Sequence, residues 1–146
     1  MPRAIGIDLG SRRIGVALCD SDGRVATPYK VVERSKDRRS DHRRIRALYD
    51  EVEAELIVVG LPLSLDGSVG PAASKALAEV DELRANLEIR VETQDERLST
   101  VAAERALLAQ QLDAKQRRKV VDKVAAAVIL QSWLDSQHQP TRHPNQ

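Results

Sequence analysis

The sequence predicts a single α/β domain: one mixed five-stranded sheet with helices on both faces. Three observations predict it. The first 33 residues carry three short apolar runs whose connections are too brief for any crossover, so these strands must pair antiparallel. Beyond residue 40, segments with helical apolar spacing alternate with short strand-like runs, which demands parallel pairing through helical connections. The chain has 146 residues and 42% hydrophobic content, enough for one core.

In order, AIGIDLG and RIGVALCD read as strands joined by the tight Gly10-Ser11-Arg12-Arg13 turn. Asp22-Gly23 in DSDGR is a hairpin signal leading into a third run near VATPYKVVE. From about Ser40, Ile45, Leu48, Tyr49 and Val52 fall at helical spacing with charge opposite. ELIVVG is a short buried strand, and PLSLDGSVGP a Pro/Gly loop. Ala73, Ala76, Leu77, Val80 and Leu83 mark a second helix, IRVET a fifth strand, and STVAAERALLAQQL a third helix with Ser99 or Thr100 as N-cap. The basic stretch AKQRRK then precedes a last helix, VVDKVAAAVILQSWLDS. Residues 1–137 form the expected domain, and 138–146 a disordered polar tail whose His138 and His143 are not metal ligands.

Aromatic residues make up 2% of the chain, with no Phe, so the core is built from Ala, Val, Leu and Ile. Any nucleic acid would be gripped through its phosphates, for want of stacking platforms. Net charge is +1, but residues 1–46 hold 12 Lys/Arg against 6 Asp/Glu while the remainder holds 11 against 16. A basic end of this kind suits a polyanionic partner. One cysteine, Cys19, excludes an internal disulfide and a zinc signature and reads as a buried strand residue. With no signal peptide and no apolar run of membrane length, a cytoplasmic protein without membrane contact is expected.

Three acids stand out. Asp8 sits within an apolar strand, where a carboxylate must face solvent, be paired or bind a metal. Asp122 precedes Ala125, Ala126, Ile129 and Trp133 at intervals that place it at the head of the buried stripe. A helix-dipole role accounts for an acid near an N-terminus but not for that alignment. Glu96, beside Asp95, lies at the carboxyl end of the fifth strand, where open α/β sheets place their sites. If the three converge, like charges require cations, and oxygen-only ligands select Mg²⁺ or Mn²⁺. Two such ions about 3.5–4 Å apart are a known arrangement for phosphodiester hydrolysis.

GIDLGSRRIGVALCD, IVVGLPLSLDGSVGP, DERLST and VDKVAAAVILQSWL together resemble, in order and across about the first 135 residues, the motifs of the YqgF/RuvX family of RNase H-like nucleases. The family is described both as pre-16S ribosomal RNA nucleases and as Holliday junction resolvases. The resemblance implies an RNase H-like fold, with Asp8, Glu96 and Asp122 as the catalytic, metal-binding set. It also implies that Gly60, Leu61 and Pro62, with the DGSVGP loop that follows, line the site beside the first strand. Lys123 stands where the family commonly has a small residue.

Basic residues adjoin each acid: Arg12 and Arg13 after Asp8, Arg97 after Glu96, and Arg117, Arg118, Lys119 and Lys123 around Asp122. Such groups position a phosphate backbone without reading its sequence. The segment 34–46, with seven Lys/Arg, reads as a solvated face, and His42 within it as a surface residue.

The expected activity is metal-dependent hydrolysis of structured nucleic acid, first pre-16S rRNA in ribosome biogenesis, then branched DNA. Ribosomal precursor particles are expected partners, and the chain acts as a monomer or homodimer. Two other readings compete. An ATPase of the actin and sugar-kinase type shares the opening Asp-x-Gly strand but needs two large domains. A non-catalytic RNA-binding assembly factor has no use for three retained acids.

Overall fold

The computed structural model describes residues 3–64, 66–96 and 114–138. Five strands form one sheet in the order β3-β2-β1-β4-β5: β1 (Ala4–Leu9), β2 (Arg13–Cys19), β3 (Ala26–Glu33), β4 (Leu56–Leu61) and β5 (Val91–Asp95). β1–β2 and β2–β3 pair antiparallel, whereas β1–β4 and β4–β5 pair parallel. Short turns permit only the former, and helical connections produce the latter. At the β2–β3 turn Gly23 takes φ 67°, which glycine adopts without strain. Asp20 Oδ1 accepts the Arg24 and Val25 N–H groups there, at 2.8 and 3.1 Å.

Helices α1 (Arg38–Glu51) and α2 (Pro71–Leu87) cover one face, and α3 (Ala114–His138) covers the other. Strand alternation divides the apolar residues accordingly. Ile5, Ile7, Ile57 and Val59 pack with Ile45, Tyr49, Val80 and Leu83 under α1 and α2. Ala4, Ala17, Leu56 and Val58 pack with Ala126, Ile129, Leu130 and Trp133 of α3. Cys19 is buried in that second layer, as expected.

α3 seats very closely. A Cβ on Gly6 would meet Leu130 Cβ at 2.6 Å, and one on Gly15 would meet the Asp122 carbonyl oxygen at 1.9 Å. Two glycines on adjacent strands thus set the height of the helix above the sheet.

Both ends of the last helix differ from expectation, and the fifth strand, expected as IRVET, is shifted to Val91–Asp95. The stretch AKQRRK is not a lead-in but the first turns of α3, because Ala, Lys, Gln and Arg are all strong helix formers. The helix also runs through His138, assigned to the tail, and the His138 ring Nε2 lies 2.7 Å from the Gly23 carbonyl oxygen. The helix expected over 99–112, Arg97 and residues 139–146 lie outside the described residues. No helix of the described residues is long and apolar enough to cross a membrane.

Candidate active site

β1, β4 and β5 run parallel, so their carboxyl ends share one edge of the sheet. Asp8 lies one residue before the end of β1, and Glu96 follows β5 directly. The Glu96 N–H donates to the Leu61 carbonyl at 3.1 Å, which ties the acid to the end of β4. Gly6 faces α3, so Asp8, two residues on, shares that face.

Gly60 occupies β4 between these two acids. Its missing side chain leaves room for the acid: a Cβ there would lie 2.3 Å from Glu96 Oε2. Asp8, Gly60 and Glu96 line one cavity of about 360 Å³. Two carboxylates sharing a cavity, with the intervening strand kept bare, form a donor set suited to a hard divalent cation.

Asp122 occupies the same face one strand away. Its backbone abuts Gly15, the cross-strand partner of Asp8. Its side chain does not line the cavity: Arg13 Nε donates to Asp122 Oδ2 at 2.7 Å, both side chains being 18% exposed. No group of three or more His, Cys, Asp or Glu able to hold one ion is present among the described residues. The structure therefore brings Asp8 and Glu96 together and sets Asp122 beside them in an ion pair.

Of the expected loop, Gly60 and Pro62 line the cavity. Leu61, buried in β4, is not part of the lining. Arg12 is exposed and outside the cavity lining, Arg13 serves Asp122, and Lys123 is half-buried on α3. Arg117, Arg118 and Lys119 belong to the opening turns of α3.

The rest of the cavity is built by residues that the sequence did not single out. Arg34 donates through Nε to the Gly10 carbonyl at 2.7 Å and pairs bidentately with Glu79, at 2.9 and 2.8 Å. Glu79 Oε2 also lies 2.9 Å from His42 Nε2. Burial alone would raise the Glu79 pKa, but the bonds from His42 and Arg34 outweigh it and lower it to about 2.

His42 is 0% exposed, which corrects its expected surface position. A signal for both residues existed. His42 stands three and seven residues before Ile45 and Tyr49, and Glu79 three after Ala76 and four before Leu83. Both therefore lie on apolar stripes, by the same spacing that singled out Asp122.

A family model described as "RuvX: Holliday junction resolvase" matches residues 2–136. The chain belongs to the RuvX family. A Desulforudis audaxviator relative, provisionally named a pre-16S rRNA nuclease, is 46% identical over 134 residues, covering 92% of this chain and 94% of its own. A Rhodococcus opacus relative with the same name is 50% identical over 137 residues, covering 91% and 77%. Among solved structures, Thermus thermophilus RuvC in complex with a Holliday junction substrate superposes with TM-score 0.57 at 15% identity, covering 92% of this chain and 95% of that one. That likeness establishes the RNase H-like fold of this RuvX protein.

Proposed function

We propose that this RuvX protein is a divalent-metal-dependent nuclease that hydrolyses phosphodiester bonds of structured nucleic acid, with pre-16S rRNA as its first substrate. One observation carries the reading: Asp8 and Glu96 share a single cavity at the carboxyl edge of the sheet, kept open by Gly60. Asp8 and Glu96 would hold Mg²⁺ or Mn²⁺, with Asp122 the third acid of the set. When bound, such an ion supplies a nucleophilic hydroxide and neutralises charge on the phosphate oxygens. Arg13 holds the Asp122 carboxylate in place on the α3 side. Arg34 and Glu79 fix the Gly10-Ser11 turn that follows Asp8. The names of the relatives favour the RNA substrate; the family description and the RuvC-like fold favour a four-way DNA junction as the second reading.

The test is incubation with pre-16S rRNA and with a four-way junction, each with Mg²⁺, Mn²⁺ or chelator. Cleavage is expected with metal and not with chelator, the preferred substrate deciding between the two readings. Asp8→Asn, Glu96→Gln and Asp122→Asn should each abolish cleavage while the far-ultraviolet dichroism stays native. Full cleavage by any one of them removes that residue from the reaction, and metal-independent cleavage overturns the proposal.

A further inference from the structure

Asp8 and Glu96 share the cavity with residues that have a charge pattern of their own. Four basic residues line it: Arg34, Lys36, Arg38 and Lys75. The two arginines are committed. Arg34 is bound to Glu79, and Arg38 to Glu82 at 3.0 Å. The other acids of the lining, Asp41 and Glu79, are likewise held, Asp41 by Arg44 at 2.7 Å and by Ser35. Lys36 and Lys75 form no ion pair among the described residues, and both are exposed. The positive charge of the cavity that is not held in an ion pair therefore resides on these two ammonium groups.

Their backbone supports are rigid. Lys36 lies between two anchored neighbours: the Ser35 N–H and hydroxyl both donate to Asp41 Oδ1 at 2.8 Å, and the Asp37 N–H donates to the Ser35 hydroxyl at 3.1 Å. Lys75 stands on the second turn of α2, whose Glu79, one turn on, is locked to Arg34 and to the buried His42. The Ser11 side of the β1–β2 turn lines the same space, held through the Arg34–Gly10 bond. Two cations on fixed supports, in one cavity with a carboxylate pair, suit a chain that carries regularly spaced anions.

We infer that Lys36 and Lys75 form an anchoring subsite for a backbone phosphate of the nucleic acid, distinct from the phosphate at Asp8 and Glu96. The inference rests on the nuclease reading above for what happens at the two acids. Binding at the lysines stands independently of it. Lysine acts here as a point charge without base readout, so the subsite contributes affinity and strand placement, not sequence preference. It also assigns a role to part of the basic segment 34–46, which otherwise reads as a solvated face.

The full chain carrying Lys36→Gln together with Lys75→Gln is compared with the unsubstituted protein, with Lys36→Arg/Lys75→Arg, and with Lys30→Gln, a lysine outside the cavity. Affinity for a fluorescein-labelled single-stranded RNA oligonucleotide is read by anisotropy in chelator across a salt series. The double Gln variant should bind about tenfold more weakly, roughly 1.4 kcal/mol. Its log–log salt slope should fall by about 0.7 for each phosphate that is no longer neutralised. The Arg pair and Lys30→Gln should retain both values. With metal, KM should rise in the Gln variant while kcat holds within about twofold. Unchanged affinity and salt slope, or a fall in kcat at constant affinity, overturns the subsite. Absence of cleavage by the unsubstituted protein leaves the binding comparison intact and counts against the nuclease reading alone.

Discussion

Gly60→Ala separates the chemistry of the site from the stability of the fold. The new methyl would lie 2.3 Å from Glu96 Oε2 and 2.5 Å from Ile129 Cδ1. To reach even a 3.0 Å contact, the carboxylate must withdraw by about 0.7 Å and the Ile129 methyl by about 0.5 Å. Both are ends of rotatable side chains. The fold therefore absorbs the change for about 1 kcal/mol, at the low end of core overpacking, partly offset by the lower entropy of the unfolded chain. A melting temperature lowered by about 3 °C is expected. Catalysis is less tolerant, since misplacement by about 1 Å costs on the order of 100-fold. Single-turnover cleavage of pre-16S rRNA at saturating Mg²⁺, beside a thermal melt, reads both quantities. Native melting with undiminished cleavage would refute the claim that Glu96 acts from this cavity.

The companion substitution Gly15→Ala should behave differently, because its methyl would meet backbone, the Asp122 carbonyl oxygen at 1.9 Å and carbon at 2.4 Å. α3 must lift as a body, so a stability loss of about 3 kcal/mol is expected by urea titration, with cleavage lost as well; a change under about 1 kcal/mol would contradict the seating of the helix. Glu79 sets a pH dependence. Its folded pKa of about 2 lies below the ordinary 4.5, so its stabilisation is full above about pH 4.5 and disappears as pH falls towards 2. Glu79→Gln should cost about 3 kcal/mol at pH 7 and flatten the acid limb of a stability-versus-pH curve; an unaltered limb would show that the Arg34–Glu79–His42 cluster contributes little.

The sheet was legible because its signals are local. Asp22-Gly23 marks a hairpin wherever it occurs between apolar runs, and ELIVVG is too short and too β-branched to be a helix. Asp122 was legible as an acid on a buried stripe, although its engagement by Arg13 was not, since that bond joins residues 109 positions apart. Arg34, His42 and Glu79 were missed for a related reason. A segment dense in arginine reads as solvated, and only the fold shows that α2 brings a buried carboxylate to it. Leu61 is a buried member of β4, and only its neighbours Gly60 and Pro62 line the cavity.

The seating of α3 on Gly6 and Gly15 has a consequence for anyone wishing to improve this enzyme. The helix that fills one side of the core with Ala126, Ile129, Leu130 and Trp133 also carries Asp122 at its head. Added bulk along that seam, the usual route to a hardier variant, would tilt the acid together with the helix. On the role proposed for Asp122, thermal robustness and turnover share one adjustable part, and selection for the first will tend to drift the second. Engineering is better directed to the apolar layer under α1 and α2, away from the Arg34–Glu79–His42 cluster, where repacking leaves the Asp122 helix undisturbed.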